Sequence, residues 1–483
     1  MSDAIPPQPH PHANVYGWFQ DRLNIDAIWR ALFIRKIPFG VNLLYTLGFA
    51  SLALFLVQVV TGTILALYYS PSPDHAYDSI EYLITQVPFG QVIRGIHHWG
   101  ASAMVVVVIL HLLVTFAMGA YKYPREVTWW VGIALFALTF AFGFTGYLLP
   151  WDEKAYWATT VGTNMAGTVP AVGGFIEGVL RGGSQLGALT LTRFYAFHVL
   201  ILPLALMALV AVHLFLVVWQ GVSVPPGLWD QAVAHFRGRR GSPRAPESAV
   251  EYHAVYEEFK ARGRRFFPDL IVEDAVVSTL VILIVIAFAL VLGTPLEGQA
   301  DPTNTGYVPR PEWYFLFLFE LLKYFPGSLE WVGVVVLPGL FFVFLFLLPF
   351  LDRGPRRSPR YRPISSVLGV LSVAAVGLLT WRAVQTTPPA LADNRAERLT
   401  ATEVVGRQIL GAQGCASCHV IAGQGGTLGP SLDGIALRRG PAFVHSYIES
   451  PRSLNPSATM PAFLPPLTHE QVEDVTQYLL TLR

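Results

Sequence analysis

The sequence predicts an all-α protein: a membrane-spanning helical bundle, with a four-helix core plus three further spans, followed by a small soluble α-helical domain. Three observations carry this expectation. Seven stretches each hold close to the roughly 20 apolar residues that a bilayer requires. The 483-residue chain is 53% hydrophobic and only 13% charged, where a soluble domain carries about 25% charged residues. After the seventh stretch the composition changes to that of a small water-soluble unit.

The spans are read at about 41–69, 100–119, 127–149, 195–219, 275–293, 331–351 and 364–383. The N-terminus, MSDAIPPQPHPH, lacks the basic-then-apolar pattern of a signal peptide. The first span is therefore expected to direct insertion. With the N-terminus in the cytoplasm, the inside segments 1–40, 120–128, 220–274 and 352–362 carry 19 Lys and Arg, and the outside loops carry 6. That bias fixes orientation, and DRGPRRSPRYR before the seventh span is its clearest piece. Seven spans then leave the C-terminus outside. Residues 227–270 form a charged inner loop to which the sequence assigns no role. A net charge of +1 offers no field for nucleic acid.

Four histidines stand out in the core. His97 and His111 lie 14 residues apart on the second span, and His198 and His213 lie 15 apart on the fourth. At about 100° and 1.5 Å per residue, 14 residues return to nearly the same face about 21 Å further on. Fifteen miss it by about 60°. The two spans run parallel, so His97 matches His198 in depth and His111 matches His213. Neutral imidazole is an axial ligand for haem iron, and a bis-imidazole haem passes electrons without an open site. A single intramembrane histidine also reads as a hydrogen-bonded core residue. Two pairs at near-equal spacing favour ligation, since such residues inside a membrane are costly. His98 is turned about 140° from His111 and is the weaker candidate. Gly48 and Gly62 on the first span, and Gly132 and Gly146 on the third, repeat the 14-residue interval. Glycine there permits close approach to a flat macrocycle, or ordinary helix packing. Arg94 is a candidate for a haem propionate or an interfacial anchor.

In the C-terminal domain, Cys415-Ala416-Ser417-Cys418-His419 is a C-x-x-C-H motif. Its two thiols are expected to bind one haem c covalently, with His419 as proximal ligand. Met460 in TMPAF is the expected distal ligand, with His445 as its competitor. Two cysteines exclude a disulfide framework.

LFLVQVVTG, RGIHHWGASAM, YPREVTW, GFTGYLLPWDEKAYWA, LTRFYAFH and PRPEWYFLFLFELLKYFP together resemble cytochrome b of the quinol:cytochrome c oxidoreductases, over about residues 40–383. The 15-residue interval and the PEWY form resemble the photosynthetic branch. There the part from the fifth span onward is a separate three-span subunit, and here it is fused. The C-terminal domain resembles class I cytochrome c, with GPSLDGI after the haem motif. The expected division is a dihaem four-span part (1–220), a charged loop (221–274), a three-span part with the PEWY loop (275–383), a linker (384–402) and a cytochrome c domain (403–483).

The resemblance implies two non-covalent b haems, an outer one on His97 and His198 and an inner one on His111 and His213. It implies quinol oxidation outside, beside Pro311, Glu312, Trp313 and Tyr314, with Tyr147 as a second wall. Thr46 stands where the photosynthetic branch has a cysteine tethering an extra haem, and Val218 and Trp219 where it has a basic pair. These departures argue against a third membrane haem.

Quinol oxidation releases two protons and two electrons. A partly buried Glu312 among aromatics suits a group that accepts a proton and passes it on. Trp313 and Tyr314 suit the membrane interface, and Pro311 restrains the backbone. The expected protein is the membrane subunit of a bacterial cytochrome bc complex in the inner membrane, with its cytochrome c domain in the periplasm. Expected partners are a Rieske iron–sulfur protein, the quinone pool, membrane lipid, a cytochrome c or similar acceptor, and a second copy of the chain. The alternative is a dihaem membrane anchor of a dehydrogenase, which needs the histidines but not PEWY, GYLLPWD or the fused cytochrome.

Overall fold

The computed structural model describes residues 15–234, 246, 248–302, 307, 309–325, 327–386, 400–421, 424–426, 428–456, 458 and 460–482. Seven helices are long and apolar enough to cross a membrane: Leu43–Ala66, Gly90–Ala117, Glu126–Tyr147, Ala188–Gln220, Phe266–Val291, Val332–Leu351 and Pro363–Gln385. The number of spans and the all-α class agree with the sequence, and the chain is a multi-pass membrane protein. Most of the expected linker, residues 387–399, lies outside the described residues.

The chain forms two units. The first comprises Met1–Pro150, Thr163–Leu296 and Glu320–Leu379, and the second Trp151–Gly162, Glu297–Phe319 and Thr380–Arg483.

In the first unit, the second span begins about ten residues before its apolar stretch. Hydropathy sees only the apolar part, but a helix continues wherever its polar side chains find partners. Arg94 is buried and donates to the Thr294 and Pro295 carbonyls at 2.9 and 3.1 Å. Trp99 Nε1 donates to the Gly293 carbonyl at 2.8 Å. The fourth span likewise starts at Ala188 rather than near 195. Ala50 and Leu54 of the first span, Val107 of the second and Val285 of the fifth share one core. Trp129 and Ile133 of the third span pack with Leu345 and Leu348 of the sixth.

The basic end of the bundle is folded rather than loose. Helices Pro226–Val233 and Ala249–Ala261 enclose a small core of Val224, Trp229, Val233, Tyr252, Tyr256 and Phe259. Strand Lys36–Ile37 pairs antiparallel with Arg264–Arg265. Two arginines of DRGPRRSPRYR are buried rather than displayed. Arg357 is 1% exposed, its guanidinium 4.0 Å from the Trp229 ring centre. Its backbone N–H donates to Asp230 at 2.6 Å. Arg362 donates to the Phe116 and Ala117 carbonyls, at 3.1 and 2.7 Å, in the last turn of the second span. Arg125 donates to the Gln220 and Gly221 carbonyls at the end of the fourth. Both histidine-bearing helices thus have an arginine on their C-terminal carbonyls, although the Phe116 carbonyl also accepts from the Gly119 N–H at 3.0 Å.

Asp352 anchors this end, accepting from Lys122 at 2.6 Å and from the Tyr121 hydroxyl at 2.5 Å, with Arg362 at 3.4 Å. Burial opposes its charge, but the bonds from Lys122 and Tyr121 and the nearby Arg362 outweigh it and hold the carboxyl below the usual carboxylate range. A folded value below the unfolded value of about 3.9 means stability fully present above that pH and lost as pH falls through the folded value.

In the second unit, helices Ala401–Ala412 and His469–Leu479 begin with capping boxes at Thr400/Glu403 and Thr468/Gln471. They cross at Gly406, where a Cβ would strike the Asp474 carbonyl. Leu410, Ile448, Leu467, Val472, Val475, Leu479 and Leu482 form the core, with Cys415, Met460 and Phe463 packed on it.

Asp352→Asn leaves two buried cations without their anion, a loss of about 3 kcal/mol. We expect the apparent melting temperature in detergent at neutral pH to fall by roughly 5 °C or more. The acid sensitivity below about pH 4 should flatten. An unchanged melting curve would show that Asp352 does not hold this end together.

Candidate functional site

The four histidines of the bundle come together as two pairs. The rings of His97 and His198 are 6.3 Å apart between centres and inclined by 74°. His111 and His213 lie within electrostatic reach of one another. The sequence leaves a 60° misfit over the 15-residue interval, and the structure removes it. Residues Phe197–Ile201 form a π-helical turn closed by a bond from the Leu202 N–H to the Phe197 carbonyl. A π-turn holds one residue more than an α-turn, so 15 residues behave as 14. Pro203, the second residue of the following helix, has no N–H for the Val199 carbonyl and excludes the normal bond. The same arrangement recurs in the sixth span, where a π-turn at Val332–Val336 precedes Pro338.

Hydrogen bonds fix which nitrogen of the His97/His198 pair is free. The Thr61 hydroxyl donates its one proton to the Val57 carbonyl at 2.7 Å. It must therefore accept from Nδ1–H of His97, 2.9 Å away. The Thr145 hydroxyl donates to the Ala141 carbonyl at 2.8 Å and accepts in the same way from Nδ1–H of His198 at 3.1 Å. Both rings are then Nδ1–H tautomers with an Nε2 lone pair available, the form in which imidazole binds metal. Two metal–nitrogen bonds of about 2 Å, plus the reach from ring centre to nitrogen, span the observed gap. The pair can hold one haem iron. In the other pair, Nδ1 of His213 is buried without a well-formed hydrogen bond, with the Thr128 backbone facing it.

Thr61 and Thr145 were not singled out from the sequence. A signal was present: each directly precedes one of the spaced glycines, Thr61-Gly62 and Thr145-Gly146. Each glycine backs one imidazole. A Cβ on Gly146 would lie 2.5 Å from His198 Cε1, on Gly62 3.0 Å from His97 Cε1, on Gly48 3.2 Å from His111 Cε1, and on Gly132 3.5 Å from His213 Cε1. His98 packs edge-on against Trp99. Arg94 lies on backbone carbonyls, as described above. The Thr46 hydroxyl, also buried, donates to the Leu43 carbonyl at 2.7 Å.

The PEWY loop lies in the second unit. Pro311 and Tyr314 are buried and Trp313 is exposed. Glu312 precedes the 3₁₀ turn Trp313–Phe315, and its carboxylate accepts from Lys154 Nζ at 2.7 Å. Tyr147 is the last residue of the third-span helix, in the first unit.

In the C-terminal domain, Cys415–Ser417 form a 3₁₀ turn, and both cysteines are free thiols. Burial pushes the Cys415 thiol up to about 11. His419 Nδ1 lies 2.7 Å from the Pro430 carbonyl. As the donor in that bond, it leaves Nε2 for a metal. A Cβ on Gly429 would strike the His419 ring. Met460 packs on the same core as Cys415. His445 instead sits beside Glu449 and Glu473, at 3.7 and 3.6 Å.

The glycine spacings set an order of tolerance. Gly146→Ala should displace His198 and lower haem absorbance clearly, whereas Gly132→Ala, at ordinary contact distance, should retain it. Equal haem content in both variants would contradict this packing.

Comparison with known proteins places the chain in a family. The cytochrome b/b6/petB family model matches residues 34–221, the cytochrome b(C-terminal)/b6/petD model 299–395 and the cytochrome c model 404–483. Cytochrome b6 of Emiliania huxleyi is 45% identical over 213 residues, 44% of this chain and 99% of that protein. Cytochrome b6 of Prochlorococcus marinus strain AS9601 is 42% identical over 213 residues, 44% of this chain and 98% of that protein. A solved structure described as a hyperthermophilic respiratory Complex III matches with a TM-score of 0.64 and 29% identity, covering 78% of this chain and 92% of the other. The chain therefore belongs to the cytochrome b/b6 family, as a haem-binding electron-transport protein that joins both halves of cytochrome b to a C-terminal cytochrome c domain.

Proposed function

We propose that this chain is the membrane subunit of a bacterial cytochrome bc complex and acts as a quinol:cytochrome c oxidoreductase. The observation that carries the reading is the facing of His97 and His198 as Nδ1–H tautomers on neighbouring spans. The PEWY loop and the C-x-x-C-H domain on the same chain separate this reading from that of a dihaem anchor.

In this reading His97 and His198 hold an outer haem b, and His111 and His213 an inner one. Cys415 and Cys418 bind one haem c covalently, with His419 and Met460 as axial ligands. Arg94 is assigned to a haem propionate. When bound, these groups supply one-electron transfer at potentials set by their ligands. The protein's own residues place and protect that chemistry. Thr61 and Thr145 lock the ligand rings. Glu312 accepts a proton from the quinol hydroxyl and passes it outward. Pro311 and Trp313 bind the quinol, and Tyr314 and Tyr147 are further quinol-contact residues. One electron leaves to a Rieske iron–sulfur partner and on to the fused cytochrome c domain. The other crosses the bundle toward an inner quinone site. The final acceptor is a cytochrome c or similar carrier.

The Lys and Arg bias supports a cytoplasmic N-terminus and a periplasmic cytochrome c domain in the bacterial inner membrane. Membrane lipid and a second copy of the chain complete the assembly.

Haem extraction should find one covalent c haem and two removable b haems per chain. His111→Ala or His213→Ala should remove only one b haem, and full b-haem absorbance in both would contradict the ligand assignment. Glu312→Gln should slow quinol oxidation at least about tenfold while all haems stay bound. Unchanged turnover across pH would remove Glu312 from the proton path.

A further inference from the structure

The partner of Glu312 comes from a different part of the chain. Lys154 Nζ lies 2.7 Å from Glu312 Oε1, with the two side chains 28% and 17% exposed. Lys154 sits in the first turn of helix Glu153–Gly167, which rests on a fixed base. The Asp152 carboxylate accepts from the Ala155 N–H at 2.8 Å, capping that helix, and from the Glu297 N–H at 3.3 Å. Asp152 also pairs with Gln299 as an antiparallel bridge. Backbone bonds run from Glu153 N to the Gly298 carbonyl at 2.9 Å and from Ala300 N to the Trp151 carbonyl at 3.0 Å. The segment carrying Lys154 is thus laced to the chain that leads into the PEWY loop. A long, flexible lysine needs such an anchor to hold one carboxylate in one place.

We propose that Lys154 is a positioning residue for Glu312, holding the PEWY carboxylate in one orientation toward the quinol hydroxyl. The inference rests on the proton-accepting role proposed for Glu312. The ion pair holds the Glu312 side chain in a single orientation. One quinol hydroxyl would give its proton to Glu312 as one electron leaves to the haem acceptor, and the other proton and electron would leave to the iron–sulfur partner. The carboxyl is then neutral, its ion pair with Lys154 is dissolved, and Lys154 remains an ammonium. Release of the proton to water restores the pair. Lys154 itself loses and gains nothing.

Other charged and titratable groups lie nearby. Asp152 and Glu153 precede Lys154, and Tyr307 donates to Glu297 at 2.7 Å across the bridge. Arg310 and Tyr314 flank Glu312. Burial pushes the Asp152 carboxyl up, against its two backbone donors and the Lys154 charge.

The test uses the intact purified complex with a short-chain benzoquinol, following the initial rate of haem reduction over a range of quinol concentrations. In Lys154→Met, where the carboxylate loses its fixed orientation, kcat should fall about tenfold with KM within about twofold and haem content unchanged. Lys154→Arg should restore most of the rate. Adding Lys154→Met to Glu312→Gln should cause no further loss. An unchanged kcat, a rise in KM alone, or a further loss in the Glu312→Gln background would overturn the role of Lys154. The underlying reading fails separately: if Glu312→Gln alone leaves the rate unchanged, Glu312 is not the proton acceptor.

Discussion

Two imidazoles turned toward each other inside an apolar bundle are the constraint on which the first unit is built. A neutral ring buried there must satisfy its N–H, or pay for leaving it bare. Thr61 and Thr145 do this for His97 and His198. Because each threonine proton is already given to its own helix, the hydroxyls can only accept. One elementary count of protons therefore fixes the tautomer, and the tautomer fixes which nitrogen keeps a lone pair for a metal. The glycines behind the rings follow from the same need, since the helices close only where no Cβ intervenes.

The basic end serves the same frame by another route. The second and fourth spans end in carbonyls that lack donors, and Arg362 and Arg125 supply them. Arg362 and Arg125, part of the basic excess from which the sequence reads an orientation, are here cations at helix C-termini. Arg357 and Arg362 are therefore buried. The folded segment between the fourth and fifth spans packs its aromatic core around Trp229, on which Arg357 lies. Asp352 balances this concentration of positive charge.

In the second unit one ion pair sits on a braced backbone. Lys154 and Glu312 are 158 residues apart in sequence, and the bridge at Asp152 and Gln299 brings their segments into register. The cytochrome c domain contributes its own frame, with terminal helices crossing at Gly406 and the C-x-x-C-H turn held against their core.

By itself the sequence determined the seven spans, the pairing of histidines by depth, the spaced glycines and the C-x-x-C-H domain. Each is local or periodic, and helix geometry turns spacing into position. The family resemblance rested on such local motifs too. What the tertiary structure decided depends on contacts that spacing does not encode. A π-turn before Pro203 absorbed the extra residue that the α-helical count had turned 60° away. The hydroxyls of Thr61 and Thr145 became ring partners only once the helices lay side by side. Span ends at Gly90 and Ala188 extended past the apolar stretches because their polar side chains found acceptors. The charged loop acquired a core, and Lys154 met Glu312, because chain segments distant in sequence closed on each other. Periodicity fixes faces along one helix, but only packing decides what each face meets.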